Sequence, residues 1–370
     1  MKRIAVVLAL QLCTTAAVLA QEARPGDQWT VPACQRIAGT SSLAITFDEG
    51  ATLTTAGRPL QPTTYAYGIA VLKDVPNTML LAHDRTVQRS DTAGCRWTTV
   101  GDVPTTSDGF PVRLAAARGD RAFAWSENRN DLARIEGKTI TPLRSPVEAV
   151  VGLGTHPTDA DVVRLSDGSS LWESTDGGGS FKPIGSRVPG GSFLYYRAAF
   201  DPASLDHALV GLVGGAYVTF DGGATWTASS GFSSTGSGPV NVFEVVVSPA
   251  DASTVFAMAL DIAELDAGGP GRHIYLSRDG GLTFHPVVTP SADVVLINQP
   301  PMAAHPTNAD VVYFSYGSSF FGYGADLYRY DDRAGTVTKT HNSYHGLHAI
   351  DFNPVDAGAM YLGLSKEQVN

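Results

Sequence analysis

Short apolar runs alternate with turn residues along most of the chain. Each Pro turn, as we name the repeated motif, places a Pro and a nearby Asp or Asn beside apolar runs. Pro fixes φ and Asx side chains bond the local backbone, so each copy predicts two strands joined by a tight hairpin. The prolines lie 45, 47, 57 and 48 residues apart, a step typical of a four-stranded propeller blade. The copies are HPTDADVV (156–163), DPASLDHALV (201–210), SPADASTVF (248–256), HPTNADVVYF (305–314) and NPVDAGAMYL (353–362).

A second motif, the Asp turn, runs out of phase with the Pro turns. Its clear copies are STDGGGSF (174–181), TFDGGATW (219–226) and SRDGGLTF (277–284), and weaker copies are TFDEGATL (46–53) and SDTAGCRW (90–97). The glycine pair permits positive φ, and the Asp and Ser/Thr side chains can bond the backbone of the turn. We expect each Asp turn to join the third strand of a blade to the fourth. The residues predicted to be structural are Asp48, Asp91, Asp176, Asp221 and Asp279.

The two motifs together predict an all-β, seven-bladed propeller, with six or eight blades as alternatives. Worn copies of the Asp turn near positions 136 and 331 complete a series of seven. The last Pro turn has no Asp turn after it, and the first Asp turn has no Pro turn before it. We therefore expect the closing blade to take its inner strands from 346–365 and its outer strands from 42–57.

The amino terminus predicts secretion. Met1-Lys2-Arg3 precedes an apolar run and small residues at 18–20, which is typical of a signal peptide cleaved after Ala20. A buried N-terminal strand is the alternative. The predicted division is a signal peptide at 1–20, a leader segment at 21–41 and one propeller at 42–370. The compartment is extracellular or periplasmic, where Cys34 and Cys95 are expected to form a disulfide, with two free thiols as the alternative.

Composition narrows the class of partner. A formal net charge of −10 argues against nucleic acid as a ligand. No later segment is long and apolar enough to cross a membrane, and a monomer is expected. Charged residues make up only 17%, while 39 Gly and 22 Pro suit short strands joined by tight turns.

The Asp turns resemble the Asp-box (BNR) repeat family of β-propellers. The resemblance implies that these turns are structural and lie on the face opposite the ligand site, with calcium binding by the DGG turns as a rival reading. Sialidases share this repeat, and a resemblance to them would imply an arginine triad, a Tyr/Glu nucleophile pair and an N-terminal Arg-Ile-Pro. The nearest string here is Arg36-Ile37-Ala38, and no triad is evident.

Three stretches, 29–34, 45–53 and 89–97, look most like the secreted bacterial propellers named for dispase autolysis-inducing protein. This resemblance implies a non-enzymatic protein that engages a secreted neutral metalloprotease and drives its self-digestion. No His-Glu-x-x-His or Gly-x-Ser-x-Gly motif occurs. The leading hypothesis is a secreted, non-enzymatic, protein-binding propeller. A glycan-active or glycan-binding propeller, such as a sialidase-like or other glycoside hydrolase, is the alternative, and a structural envelope component is a third.

Two insertions in the repeat predict the partner-binding face. The segment 261–271 carries Asp261, Glu264 and Asp266, which either hold a calcium ion or form a solvated acidic loop. No other cofactor is expected. The segment 316–324 carries aromatic side chains among glycines, which either anchor a partner or pack on the neighbouring blade. These aromatic residues are Tyr316, Phe320, Phe321 and Tyr323.

The histidines fall into two groups. His341, His345 and His348 lie near the predicted channel mouth. We interpret them as polar loop residues, with a transition-metal site as the alternative. We include His341 and His345 in the predicted partner-binding face. His156 and His305 occupy the same place in two Pro turns, and this equivalence predicts structural hydrogen bonds.

Overall fold

The computed structural model describes residues 28–105, 111–190, 195–233, 238–318, 322–343 and 345–366. The predicted signal peptide and the first part of the leader segment lie outside these ranges. Within them the protein is all-β, with 27 strands and one five-residue helix, α1 (Ile262–Asp266). No helix of this part of the chain is long and apolar enough to span a bilayer.

Five separate antiparallel sheets have four strands each, in chain order from the innermost strand outward. The first is β6 (Val112–Ala116), β7 (Arg121–Ser126), β8 (Asp131–Glu136) and β9 (Thr139–Arg144). The second is β10 (Gly152–Thr155), β11 (Val163–Ser166), β12 (Leu171–Ser174) and β13 (Lys182–Ile184). The third is β14 (Tyr195–Asp201), β15 (Ser204–Leu212), β16 (Gly215–Thr219) and β17 (Thr227–Ala228). The fourth is β18 (Val240–Val247), β19 (Val255–Asp261), β20 (Arg272–Ser277) and β21 (His285–Val288). The fifth is β22 (Met302–Ala304), β23 (Val311–Ser318), β24 (Gly324–Asp331) and β25 (Thr336–Asn342).

A sixth, seven-stranded sheet joins the two ends of the chain. Its terminal strands pair as predicted, with Leu43 opposite Gly363 and Thr46 opposite Met360. The strands are β1 (Leu43–Thr46), β2 (Thr64–Val71), β3 (Met79–His83), β4 (Thr86–Ser90), β5 (Thr98–Asp102), β26 (Gly346–Phe352) and β27 (Met360–Lys366).

The predicted count of seven blades is wrong, because five separate four-stranded blades are present. The reason lies at the start of β2. Thr64 and Tyr65 pair with Lys366 and Ser365 of β27. The strands expected to form two further blades therefore belong to one sheet. Closure of the ring therefore runs through one sheet.

Neighbouring sheets pack closely through their innermost strands, which surround a central channel. Apolar side chains fill the space between sheets, as where Leu80 and Val87 meet Ala122 and Ile135. Where β10 approaches β14, a Cβ on Gly152 would lie only 2.0 Å from the carbonyl oxygen of Ala198, so only glycine fits there.

The segment before β1 fastens the seam of the ring. Cys34 and Cys95 form the predicted disulfide, with Cα atoms 5.7 Å apart. The indole N–H of Trp29 donates to the Leu72 carbonyl at 3.1 Å. The side chain of Asn353 donates to the Thr30 carbonyl at 2.9 Å. One segment thus binds strands from both ends of the chain.

Candidate functional site

The Asp turns close on themselves. Asp221 Oδ1 accepts the Thr219 hydroxyl at 2.8 Å and the Thr225 backbone N–H at 2.8 Å, while its Oδ2 accepts the Thr225 hydroxyl at 2.7 Å. Asp48, Asp176 and Asp279 repeat this pattern. The hydrogen bond from Ser174, followed by those from Ser180, lowers the pKa of Asp176 to about 2. These carboxylates hold their own turns, and a structural role accounts for their contacts.

Asp91 departs from this pattern. Its Oδ1 accepts from Arg89 Nε at 2.7 Å, while the Ser90 hydroxyl accepts the backbone N–H groups of Thr92 and Gly94. In SDTAGCRW the hydroxyl of Thr92 takes the place of the Asp carboxylate and accepts the Arg96 backbone N–H at 2.8 Å. Asp91 lies one position earlier, so it anchors an arginine instead of the turn backbone.

The histidines of the Pro turns form the predicted structural hydrogen bonds. His156 Nδ1 accepts the backbone N–H of Asp159 at 3.1 Å, and His305 Nδ1 accepts that of Asn308 at 3.1 Å. Both rings close the turn that follows them. Since the Pro turns and Asp turns share one end of the strands, we call that end the turn face and the opposite end the loop face.

The acidic insertion lies on the loop face without forming a cation site. Asp261 is buried and accepts the Glu264 backbone N–H at 3.2 Å, which caps α1. Glu264 Oε2 lies 2.6 Å from His273 Nε2, and Asp266 is exposed. Across the described ranges, no group of three or more His, Cys, Asp or Glu side chains could hold a metal ion. The calcium alternative therefore has no support from this geometry.

The aromatic insertion is described only in part, because Phe320 and Phe321 lie outside the described residues. Tyr316 and Tyr323 meet edge to face, with ring centroids 5.5 Å apart. The ring of Tyr323 also lies 5.3 Å from that of His341. The structure thus brings together three of the predicted partner-binding residues.

A buried carboxylate organises this aromatic group. Asp326 accepts the Tyr323 hydroxyl at 2.6 Å and the Tyr328 hydroxyl at 3.1 Å, and its other oxygen lies 2.7 Å from His341 Nδ1. Burial alone would raise the pKa of Asp326, but these hydrogen bonds outweigh it and lower the pKa. Its acceptance of the Tyr323 hydroxyl raises the pKa of Tyr323 to about 12. The sequence had not singled out Asp326.

His341, His345 and His348 form no metal site within the described residues. His341 binds Asp326, whereas His348 lies on β26 with its ring 4.6 Å from that of Tyr67. Burial, followed by the charge of Arg113, lowers the pKa of His348 to about 4, so its imidazole is neutral near pH 7. Burial also lowers the pKa of His345.

Exposed apolar side chains extend the aromatic group across the loop face. Leu265 is 41% exposed, Ile297 is 37% exposed and Tyr323 is 40% exposed. We name these three side chains the outer-loop surface. Arg272 Nε donates to Asn298 Oδ1 at 2.8 Å, which ties the connection carrying Ile297 to the segment carrying Leu265.

A second contact joins the same connection to Tyr323. The backbone N–H of Val295 donates to the Tyr328 hydroxyl at 3.1 Å, and that hydroxyl donates to Asp326. Because Asp326 also accepts from Tyr323, this chain of hydrogen bonds links the connection that carries Ile297 to Tyr323.

The central channel holds a buried ionic group that the sequence did not reveal. Arg197 Nε lies 2.9 Å from Glu244, and its Nη2 lies 3.0 Å from Glu127. Arg113 Nε lies 2.9 Å from Glu127 and its guanidinium lies over the Tyr67 ring. Burial would raise the pKa of Glu127, but the two arginines outweigh it and lower the pKa. Burial raises the pKa of Glu244.

The fold and these faces define a β-propeller. Among solved structures, YCF48 from Cyanidioschyzon merolae is similar, with a TM-score of 0.55 and 14% identity over 83% of this chain and 97% of that one. Sqt1 of Saccharomyces cerevisiae gives a TM-score of 0.51 and 11% identity over 83% and 97%. No model of a known protein family matches the chain.

The sequence itself has a curated relative. The chain is 44% identical over 356 residues to the dispase autolysis-inducing protein of Streptomyces mobaraensis, covering 95% of this chain and 94% of the relative. The chain belongs to the family of that protein.

Proposed function

We propose that this chain is a secreted, non-enzymatic propeller that binds a secreted metalloprotease and promotes the autolysis of that protease. The observation that carries the proposal is 44% identity, along nearly the whole of both chains, to a relative named for inducing the autolysis of dispase. The Cys34–Cys95 disulfide supports the secreted location, because such bonds persist in oxidising compartments.

The outer-loop surface is the proposed binding face. Exposed apolar and aromatic side chains held by a rigid framework are typical interface anchors. Leu265, Ile297 and Tyr323 meet this description, because the hydrogen bonds through Asn298 and Asp326 fix the backbone beneath them. On the turn face, the Asp side chains are engaged in closing their own turns.

The experiment mixes the purified chain with a dispase-type secreted metalloprotease at equal concentration. Intact protease is followed by gel densitometry, and the fragments are identified by mass spectrometry. We expect faster loss of active protease and no loss of the chelator-inhibited protease, because the cleaving enzyme is the protease itself. An unchanged protease lifetime would contradict the proposal. Fragments from inhibited protease would show that this chain cleaves, and would contradict it equally.

The binding face is tested with a triple variant, Leu265→Ser, Ile297→Ser and Tyr323→Ser. We expect the concentration for half-maximal effect to rise at least about tenfold, since anchor residues each contribute about 1–2 kcal/mol. Val355→Ser is the matched control, because Val355 is 57% exposed in a Pro turn on the opposite face. Equal activity of the triple variant and the control would exclude this face.

A further inference from the structure

The central channel contains a cavity of about 260 Å³. All seven innermost strands, β2, β6, β10, β14, β18, β22 and β26, contribute to its wall. Its polar side chains are Tyr67, Arg113, Arg197, Glu244 and His348, and Trp125 also lines it. The volume is below the roughly 300–1,000 Å³ of pockets for drug-sized ligands, which limits the occupant to a small molecule.

Three of the four charged groups of the channel pair with one another. Arg197 spans Glu127 and Glu244, so those carboxylates already have a cationic partner. Arg113 differs, because only its Nε bonds to Glu127. Among the described residues, none bonds to the two Nη groups of Arg113, which belong to the cavity wall. The planar end of this guanidinium is therefore available to a ligand.

Other donors line the same cavity. The indole N–H of Trp125 is buried and has no hydrogen-bond partner within the described part of the chain. The same holds for His348 Nδ1. A buried polar group without a partner is destabilising, and a bound acceptor would offset that cost. The wall thus offers free donors, while its carboxylates are already paired.

We propose that this cavity binds a small carboxylate-bearing molecule, with Arg113 and Trp125 as its hydrogen-bond donors. The guanidinium fork matches the two oxygens of a carboxylate and forms paired charge-assisted hydrogen bonds. A carboxylate brings one negative charge to the Arg113 guanidinium, whose only ion pair among the described residues is with Glu127. A phosphate dianion would add twice that charge to a buried group. This binding is independent of the proposed action on a protease.

The test follows the Trp125 indole N–H resonance in a ¹H–¹⁵N NMR titration, with Trp125→Phe used to assign it. The probes are acetate, pyruvate and glucuronate, each beside its uncharged counterpart acetamide, pyruvamide or glucose. Inorganic phosphate serves as the competing anion. We expect at least one carboxylate to shift the resonance with a saturable curve below about 50 mM, and its uncharged counterpart to leave the resonance in place.

Two variants test the named donors. Arg113→Gln should weaken binding of the carboxylate at least about tenfold, because it removes a pair of charged hydrogen bonds. Trp125→Phe leaves every ion pair intact and should weaken binding of the carboxylate about threefold or more. Calorimetry measures the affinity of each variant. The proposal is overturned if no carboxylate binds the folded protein, if phosphate or the uncharged probes bind equally well, or if both variants retain wild-type affinity.

Discussion

Asp351 provides a stability test with a defined sign. Its carboxylate accepts the Phe352 backbone N–H at 2.8 Å and the Val71 backbone N–H at 3.2 Å, joining β26 to β2 at the seam. Burial raises the pKa of Asp351 to about 6 from an ordinary value of 3.8, although both hydrogen bonds and Lys73 act in the other direction. The fold therefore holds a proton that the unfolded chain releases between these two pH values.

The magnitude follows from proton linkage. A difference of about two pKa units corresponds to about 3 kcal/mol. A raised folded pKa means that this stabilisation is complete below the unfolded pKa and disappears as pH rises through about 6. About 2 kcal/mol of it should disappear between about pH 4.5 and pH 7.5. Asp351→Asn removes this titration. The free energy of unfolding of the variant, relative to that of the wild type, should therefore rise by that amount over this pH range.

The assay is urea unfolding of both proteins across this pH range, followed by far-UV circular dichroism. Asp356→Asn is the matched control, because Asp356 is exposed in the adjacent Pro turn. The control should track the wild type at every pH. A stability difference between wild type and Asp351→Asn that stays constant with pH would refute the reasoning. A difference that favours the wild type more as pH rises would refute its sign.

Three further changes probe the scaffold. Replacing Cys34 and Cys95 with Ser should lower the free energy of unfolding by about 4 kcal/mol, since the bond closes a loop of 61 residues; an unchanged guanidinium midpoint would contradict this. Asp221→Ala should lower the midpoint of thermal unfolding, because it removes the hydrogen bonds that close its turn, and should spare protease autolysis, because that turn lies on the turn face; lost activity in a folded variant would place function there. Arg197→Met should cost about 3–5 kcal/mol, because it leaves the buried Glu244 carboxylate without its arginine partner. Adding Glu244→Gln should recover part of that loss in urea unfolding, and a further loss would show that the pair is not the cause.

Turn chemistry explains why much of the fold was predictable. Pro turns and Asp turns are local, so a short string contains the residues that close each of them. His156 and His305 were placed correctly for the same reason. The pairing of the terminal strands followed from which motif each end of the chain lacked.

The features that sequence reasoning missed depend on distant residues. In the part of the chain that the structure describes, two residue pairs between β2 and β27 merge the expected separate blades, and no motif marks them. Arg113 and Arg197 are far apart in the chain and meet at Glu127 only because their strands are curved into a ring. Asp326 sits in an unremarkable strand, and its role becomes visible only once Tyr323 and His341 converge on it.

The pairing of β1 with β27 has a consequence for how the protein is made. Leu43 finds its partner Gly363 only 320 positions later in the chain. During synthesis, the edge of β1 that faces β27 therefore stays unpaired until residues 360–366 have been made. Contacts of such long sequence separation form late and slowly. A chain that ends before β27 leaves that edge of β1 unpaired. The ring therefore closes only when the chain extends through β27.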